Sequence, residues 1–174
     1  SGHKKEKNPS VADNQNNETT AEPTTEEETT TKVPTVEVDL MMIGDMLMHE
    51  GVVKSGLMDD GTYNFDHLYT NIAKDISSAD IKIVNQETIL GGSDFAYTGY
   101  PTFNSPWALG DAEVKAGFNI ILHATNHTLD KGLKGVENCL SFWKTYHPDT
   151  TVLGINETEE DYGIYMFMKK KASR

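Results

Sequence analysis

Several features that define large classes of proteins are scarce or missing in this chain of 174 residues. Its single cysteine, Cys139, excludes an internal disulfide framework and a cysteine-rich zinc site. The sequence has no run of 18 apolar residues, so we expect no part of it to span a membrane. Only 15 Lys and Arg face 27 Asp and Glu, and basic residues cluster only at the two ends. The resulting net charge of −12 argues against a nucleic-acid-binding protein.

The first 35 residues lack the composition of a folded domain. They are rich in Thr, Glu, Asn and Pro, and they contain too few aromatic and branched apolar residues to offset the entropy lost on ordering. We predict a solvated tether over residues 1–35, whose opening SGH resembles the remnant of an expression tag. Such a tether fits an extracytoplasmic protein with a signal peptide or membrane anchor outside this sequence. A cytosolic domain with a disordered extension fits the composition equally well.

From residue 36 to residue 174 the pattern is that of one folded domain in which strands and helices alternate. Apolar runs predict four buried strands, at residues 36–44, 81–87, 120–122 and 150–154. Apolar residues three or four apart predict helices at 63–80, with Asn64 as cap, and at 131–147. Another helix is predicted at 105–117, with Ser105 as cap and Gly117 at its end. This alternation indicates an α/β fold with βαβ units and a mainly parallel sheet.

Polar residues with metal-binding or acid–base chemistry follow each of the first three predicted strands. They are Asp45 and His49 after the first, Asn85 and Glu87 after the second, and His123, Asn126, His127 and Asp130 after the third. Because ligands of open α/β sheets bind beyond the carboxyl ends of the strands, these side chains are expected to converge. Carboxylate, amide and imidazole groups together suit a divalent ion such as Mn, Mg, Fe or Zn.

Each of these residues also has a purely structural interpretation. Asp45 could cap its loop, and the ring of His49 could pack beneath the neighbouring methionines. Glu87 could be a solvated edge residue, and Asn126 with His127 could form a capped turn before a helix. The convergence of three strand ends favours a functional role for Asp45 more than for His49.

Five segments of the sequence resemble a known family and occur in that family's order. They are IGDMLMHEG, IVNQETIL, FNSPWAL, AGFNIILHATNHTLDKG and TTVLG. Together they are similar to the CapA (PgsA) capsule-synthesis family of poly-γ-glutamate production from about residue 36 to residue 154, and ATNHTLDKG is the most specific part. That family is similar to the calcineurin-like metallophosphoesterases. The resemblance therefore implies a metallophosphoesterase-like αββα sandwich, truncated in this chain, with a metal site at the strand ends.

The resemblance also implies roles for individual residues. Asp45, His49, Glu87 and Asn126 correspond to metal ligands, although the spacing of Asp45 and His49 departs from the usual D-x-H pattern. Asn85 shares the second-strand position with Glu87, which is the better ligand of the two. His127 corresponds to the residue that protonates the leaving oxygen, and Asp130 or a backbone carbonyl would hold it in place.

The function implied by the resemblance is biosynthesis or export of a poly-γ-glutamate capsule. The partners would be the anionic polymer or its synthesis and export machinery, and the location would be extracytoplasmic, at a bacterial surface, with a membrane anchor outside this sequence. The alternatives are a metal-dependent phosphoesterase of unknown substrate and a non-catalytic interaction module. Whether the chain is an enzyme stays open, because the phosphoesterase site is completed by histidines from a second half that this sequence does not contain. An uncovered sheet would also favour self-association.

Overall fold

Four short apolar strands pair side by side in the order in which they occur along the chain. The computed structural model describes residues 35–161. The strands are β1 (Leu40–Asp45), β2 (Ile81–Asn85), β3 (Ile120–Leu122) and β4 (Thr151–Leu153). They form one sheet in the order β1-β2-β3-β4, and every neighbouring pair is parallel. The predicted parallel α/β arrangement is therefore confirmed.

The described helices lie in the connections between strands, except for a short 3-10 helix after β4. They are α1 (Glu50–Ser55), α2 (Ala73–Ser78), α3 (Trp107–Ala116) and α4 (Gly132–Tyr146), with short 3-10 helices at Asp66–Leu68 and Glu159–Asp161. When parallel strands lie in sequence order, right-handed crossovers place every connecting helix on the same face of the sheet. The helices accordingly share one hydrophobic core, to which Val84 of β2 and Ile121 of β3 contribute fully buried side chains.

The opposite face of the sheet is apolar and open among the described residues. Leu40 and Met42 alternate with core-facing residues of β1 and are 60% and 55% exposed. The described part of the chain is thus a sheet with one helical layer, and the second sheet of the implied sandwich is not within it. Self-association of this domain stays a prediction, and the mass of the protein in solution, measured by light scattering, checks it.

Several predicted boundaries were wrong for local physical reasons. β1 begins at Leu40, because Val36 and Val38 remain exposed and unpaired in the sheet. β2 ends at Asn85, which leaves Glu87 in the loop beyond it. The short helix α1 was not predicted at all. The predicted tether at residues 1–35 lies outside the described residues, apart from Thr35.

Two predicted helix starts were also wrong, whereas one helix end was confirmed. The expected helix at 63–80 is split, since the side chain of Asn64 accepts a hydrogen bond from the Asp66 N–H (2.9 Å) and closes a tight 3-10 turn. Ser105 does not cap α3, because its hydroxyl bonds to that of Thr88 at 2.7 Å and the helix starts after Pro106. Gly117 ends α3 in the left-handed conformation, with φ of 109°.

Two buried side chains of the core carry groups that could ionise, a thiol and a carboxyl. Cys139 is fully buried in α4 as a free thiol. Glu113 of α3 is fully buried as well, and neither of its carboxyl oxygens makes a hydrogen bond of good geometry among the described residues. The hydroxyl of Tyr69 lies nearby and interacts with it electrostatically. Burial raises the pKa of the Glu113 carboxyl well above its usual range, so the folded protein favours the neutral acid.

Replacing Glu113 with glutamine is expected to stabilise the fold at neutral pH. The variant Glu113→Gln should raise the free energy of unfolding at pH 7 by about 1–3 kcal/mol, because the Glu113 carboxyl must take up a proton on folding, whereas glutamine is neutral in both states. The raised pKa means that the folded protein binds this proton more tightly than the unfolded chain, so stability is lost as the pH rises above the ordinary value of 4.5. Urea unfolding of both proteins at several pH values measures the difference, which should vanish below about pH 4.5.

The exposed variant Glu137→Gln in α4 is the matched control and should change the unfolding free energy by less than about 0.5 kcal/mol. A difference between Glu113→Gln and the unchanged protein that does not depend on pH would contradict the prediction.

Candidate metal and acid–base site at the strand ends

One side of the candidate site is formed where a hydrogen bond joins the ends of β1 and β2. A register shift between Ile43 and Asp45 places Asp45, the last residue of β1, opposite Asn85, the last residue of β2. The Asn85 amide donates to Oδ1 of Asp45 at 2.5 Å. The N–H of Met46 continues the contact by donating to the Asn85 carbonyl at 2.8 Å. Asp45 is thereby held at the sheet edge with its carboxylate exposed to solvent.

Glu87 lies beside Asp45, two residues beyond the end of β2. Burial, followed by the charge and hydrogen bonding of Asp45, raises the pKa of the Glu87 carboxyl, whereas the charge of His127 lowers it. Two carboxyl groups held side by side occupy a place where a cation would be stabilising. Glu87 therefore lies at the candidate site, beside Asp45.

The loop after β3 is held by two threonine hydroxyls. Thr125 donates from Oγ1 to the Glu87 carbonyl at 2.7 Å and accepts the His127 N–H at 3.2 Å. Thr128 donates from Oγ1 to the carbonyl of His123 at 2.5 Å. These bonds attach the third strand end to the second, so the positions of Glu87 and His127 are set relative to each other.

The strand β4 supports this loop from the other side. Gly154, directly after β4, has φ of 95° and lies so close to Ala124 that a Cβ would meet the Ala124 backbone. Only glycine satisfies both conditions without displacing the loop.

His127 and Asp130 form a close pair. Nδ1 of His127 lies 2.8 Å from Oδ2 of Asp130, and the two side chains are 15% and 13% exposed. The same carboxylate oxygen accepts the backbone N–H of Phe103 at 2.7 Å. Since this oxygen is an acceptor, Nδ1 carries the hydrogen and Nε2 is the ring nitrogen that is free for other chemistry. The structure brings the two predicted catalytic residues together, while their catalytic role stays a prediction.

The remaining two predicted ligands lie at the periphery. His49 is exposed, directly before α1, and its ring centroid lies 5.3 Å from that of Phe103. The imidazole therefore contacts an aromatic ring of the site. Asn126 is exposed in the turn that precedes α4.

His123 does not belong to the site, although the sequence grouped it with the third strand end. Its side chain is 1% exposed, and Nε2 accepts a hydrogen bond from the indole N–H of Trp143 at 3.0 Å. Burial lowers its pKa to about 3, opposed by a hydrogen bond to the backbone of Gln86. His123 is thus a neutral core residue that joins β3 to α4.

The donor set fits some metal ions better than others. Among residues 35–161, no three His, Cys, Asp or Glu side chains are arranged to hold one ion. The carboxylates of Asp45 and Glu87 suit a hard divalent ion that retains several waters. They do not suit a closed structural zinc site, which needs four protein ligands of the nitrogen or sulfur type.

Three residues that shape the site were not singled out from the sequence. Thr125, Phe103 and Asn104 act through hydroxyl, backbone and amide contacts that no spacing pattern reveals. The available signal was the family resemblance, whose segments FNSPWAL and ATNHTLDKG contain these residues.

The comparison with family models decides which family this is. Residues 39–173, well over half of the chain, match the model described as bacterial capsule synthesis protein PGA_cap. The chain belongs to this family. The match starts directly before β1, so all the candidate site residues of this PGA_cap domain lie inside it. The predicted membership of a capsule-synthesis family is thereby confirmed.

Two further findings complete the comparison. None of the curated proteins searched matches the chain. Within the described residues of the PGA_cap domain, every helix is too short or too polar to cross a membrane.

Removing the hydroxyl of Thr125 is expected to loosen the site. Thr125→Val should lower the free energy of unfolding by about 1–3 kcal/mol, because the Glu87 carbonyl and the His127 N–H both lose their partner. Thr125→Ser keeps the hydroxyl and should recover most of the loss. Thr70→Val, which removes an exposed hydroxyl bonded to the Asp66 carbonyl, is the control and should cost less than about 0.5 kcal/mol. Equal losses in Thr125→Val and Thr70→Val by urea unfolding would contradict the assignment.

Proposed function

We propose that this capsule synthesis protein acts on poly-γ-glutamate during its biosynthesis or export, through a divalent cation bound at the strand ends. The observation that supports the proposal is the pairing of the Asp45 and Glu87 carboxyls at the edge of the sheet. Family membership supplies the capsule context. The Asp45–Glu87 pair supplies the chemistry, since adjacent carboxylates bind hard cations.

Charge explains why a cation matters for this polymer. The chain carries a net charge of −12, and poly-γ-glutamate carries one carboxylate per residue. Two polyanions repel each other at long range, so direct contact is unfavourable. A bound cation with unfilled coordination positions would bind carboxylates of the polymer and of the protein at the same time.

The proposed ligands are Asp45 and Glu87 for a Mn, Mg, Fe or Zn ion, with Asn126 and His49 at the rim. Asn85 orients Asp45 by donating its amide hydrogen, as outer residues of metal sites commonly do. The exposed positions of Asn126 and His49 favour contacts on the solvent side, where a polymer would approach.

The proposed location is extracytoplasmic, at a bacterial cell surface, because a capsule polymer is assembled and held outside the cell. The polar composition of residues 1–35 suits a tether between the domain and a membrane anchor. The partners on this proposal are the polymer itself or its synthesis and export machinery.

Calorimetry with Mn²⁺ and with purified poly-γ-glutamate tests the proposal. Mn²⁺ should bind the unchanged protein, and the polymer should bind only when Mn²⁺ is present. Asp45→Asn should weaken Mn²⁺ binding at least about tenfold, because a charged ligand is lost. Asp75→Asn, an exposed change in α2, is the control and should bind as the unchanged protein does. Polymer binding without any cation, or no binding of either kind, would contradict the proposal.

A second candidate function is metal-dependent hydrolysis of a phosphate ester, and the His127–Asp130 pair favours it. A bound divalent ion would polarise the phosphoryl oxygen and lower the pKa of a bound water. Asp130 keeps the hydrogen of His127 on Nδ1, which leaves Nε2 as the nitrogen for proton transfer. A proton carried by Nε2 would pass to the departing oxygen.

Hydrolysis of phosphomonoester and phosphodiester model substrates with Mn²⁺ tests the second candidate. His127→Ala should reduce turnover by about 10²–10⁴-fold while Mn²⁺ affinity changes little, because the residue acts on the proton. His147→Ala is the control, since this histidine pairs with Asp111 on α3 and should leave turnover unchanged. Cation-dependent polymer binding without turnover would identify a non-catalytic binding module.

A further inference from the structure

The aromatic ring of Phe103 contacts both imidazoles of the candidate site, those of His49 and His127. Its side chain is 1% exposed. The ring centroid lies 4.5 Å from that of His127 and 5.3 Å from that of His49, and both contacts are edge-to-face. Its backbone N–H donates to Oδ2 of Asp130, the oxygen that also holds His127. Phe103 thus contacts the His127–Asp130 pair twice, through ring and backbone, and His49 once.

The segment around Phe103 is fastened on both sides. The side chain of Asn104 accepts the Gly91 N–H and donates to the Gly92 carbonyl, each at 2.9 Å. The backbone of Asn104 also pairs with that of Thr98 in both directions, at 3.0 and 3.2 Å. On the other side, Nζ of Lys131 donates to the Thr102 carbonyl at 3.1 Å. A residue held in this way offers a rigid surface on which neighbouring rings can pack.

The imidazoles of His127 and His49 use this surface in different ways. The hydrogen bond to Asp130 fixes Nδ1 of His127, and the edge contact with Phe103 limits tilting of the ring about that bond. His49 makes no side-chain capping hydrogen bond to α1, and its ring packs edge-to-face on Phe103.

We propose that Phe103 is a positioning residue that sets the ring orientation of His127 and His49 at the strand-end site. The inference rests on the proposed function, because the orientation matters there only if these rings serve a bound cation or a transferred proton. The backbone N–H of Phe103 keeps Asp130 in place whatever the side chain is, whereas the aromatic ring aligns the imidazoles. The ring contribution is therefore separable by substitution.

The test compares Phe103→Leu with Phe118→Leu. Both variants remove a buried aromatic ring, but Phe118 is 3% exposed and packs on Tyr69, away from both imidazoles. Nitrogen chemical shifts of the histidine side chains report which ring nitrogen carries the hydrogen. In the unchanged protein and in Phe118→Leu, His127 should show one tautomer with the hydrogen on Nδ1. In Phe103→Leu, His127 should show a mixture of tautomers and the signals of His49 should shift.

Mn²⁺ titration provides the second readout. Because His49 is a proposed ligand and packs on the Phe103 ring, Phe103→Leu should bind Mn²⁺ about tenfold more weakly than Phe118→Leu, the size of effect expected from an outer residue of a metal site. If either readout is the same in both variants, the positioning role is overturned. If the unchanged protein binds no Mn²⁺, the proposed function fails and the tautomer readout alone decides the role of Phe103. Phe103→Met, which keeps most of the side-chain volume, replaces Phe103→Leu if that variant does not fold.

Discussion

The constraint on which the rest of the structure depends is the in-order parallel pairing of four strands. Parallel pairing brings the carboxyl ends of all four strands to one edge, and sequence order places all the helices on one face. The first consequence is a site made from residues that are far apart in the chain, such as Asp45 and Glu87. The second is a single core beneath the helices, with Leu40 and Met42 left on the open face.

Hydrogen bonds between neighbouring loops convert that shared edge into a defined site. The amide of Asn85 holds Asp45, and Thr125 attaches the loop after β3 to the backbone of Glu87. Oδ2 of Asp130 joins the Phe103 backbone to His127. Each bond crosses between segments, so the arrangement of the candidate ligands depends on the whole edge and not on any one motif. This is also why the membership of a capsule-synthesis family is reflected in five separated segments.

Much of the fold was predictable because its signals are local. Apolar runs identified the four strands, and Gly117 marked the end of α3 through a conformation that glycine adopts without strain. The errors arose where side chains bond elsewhere than the local pattern suggests. Ser105 bonds to Thr88 instead of capping a helix, and Asn64 closes a 3-10 turn that divides the predicted helix. In the site, His123 had the same residue type and strand-end position as His127 but faces Trp143 in the core.

The sequence by itself determined the alternation of strands and helices, the acidic character of the chain and the candidate residues after each strand, because these follow from residue type and spacing. Only the tertiary structure decided which of those residues meet. The Asp45–Glu87 pair and the burial of His123 depend on register and on segments that approach one another in the folded chain. The bond between Thr125 and Glu87 joins residues 38 positions apart, and no local pattern encodes it.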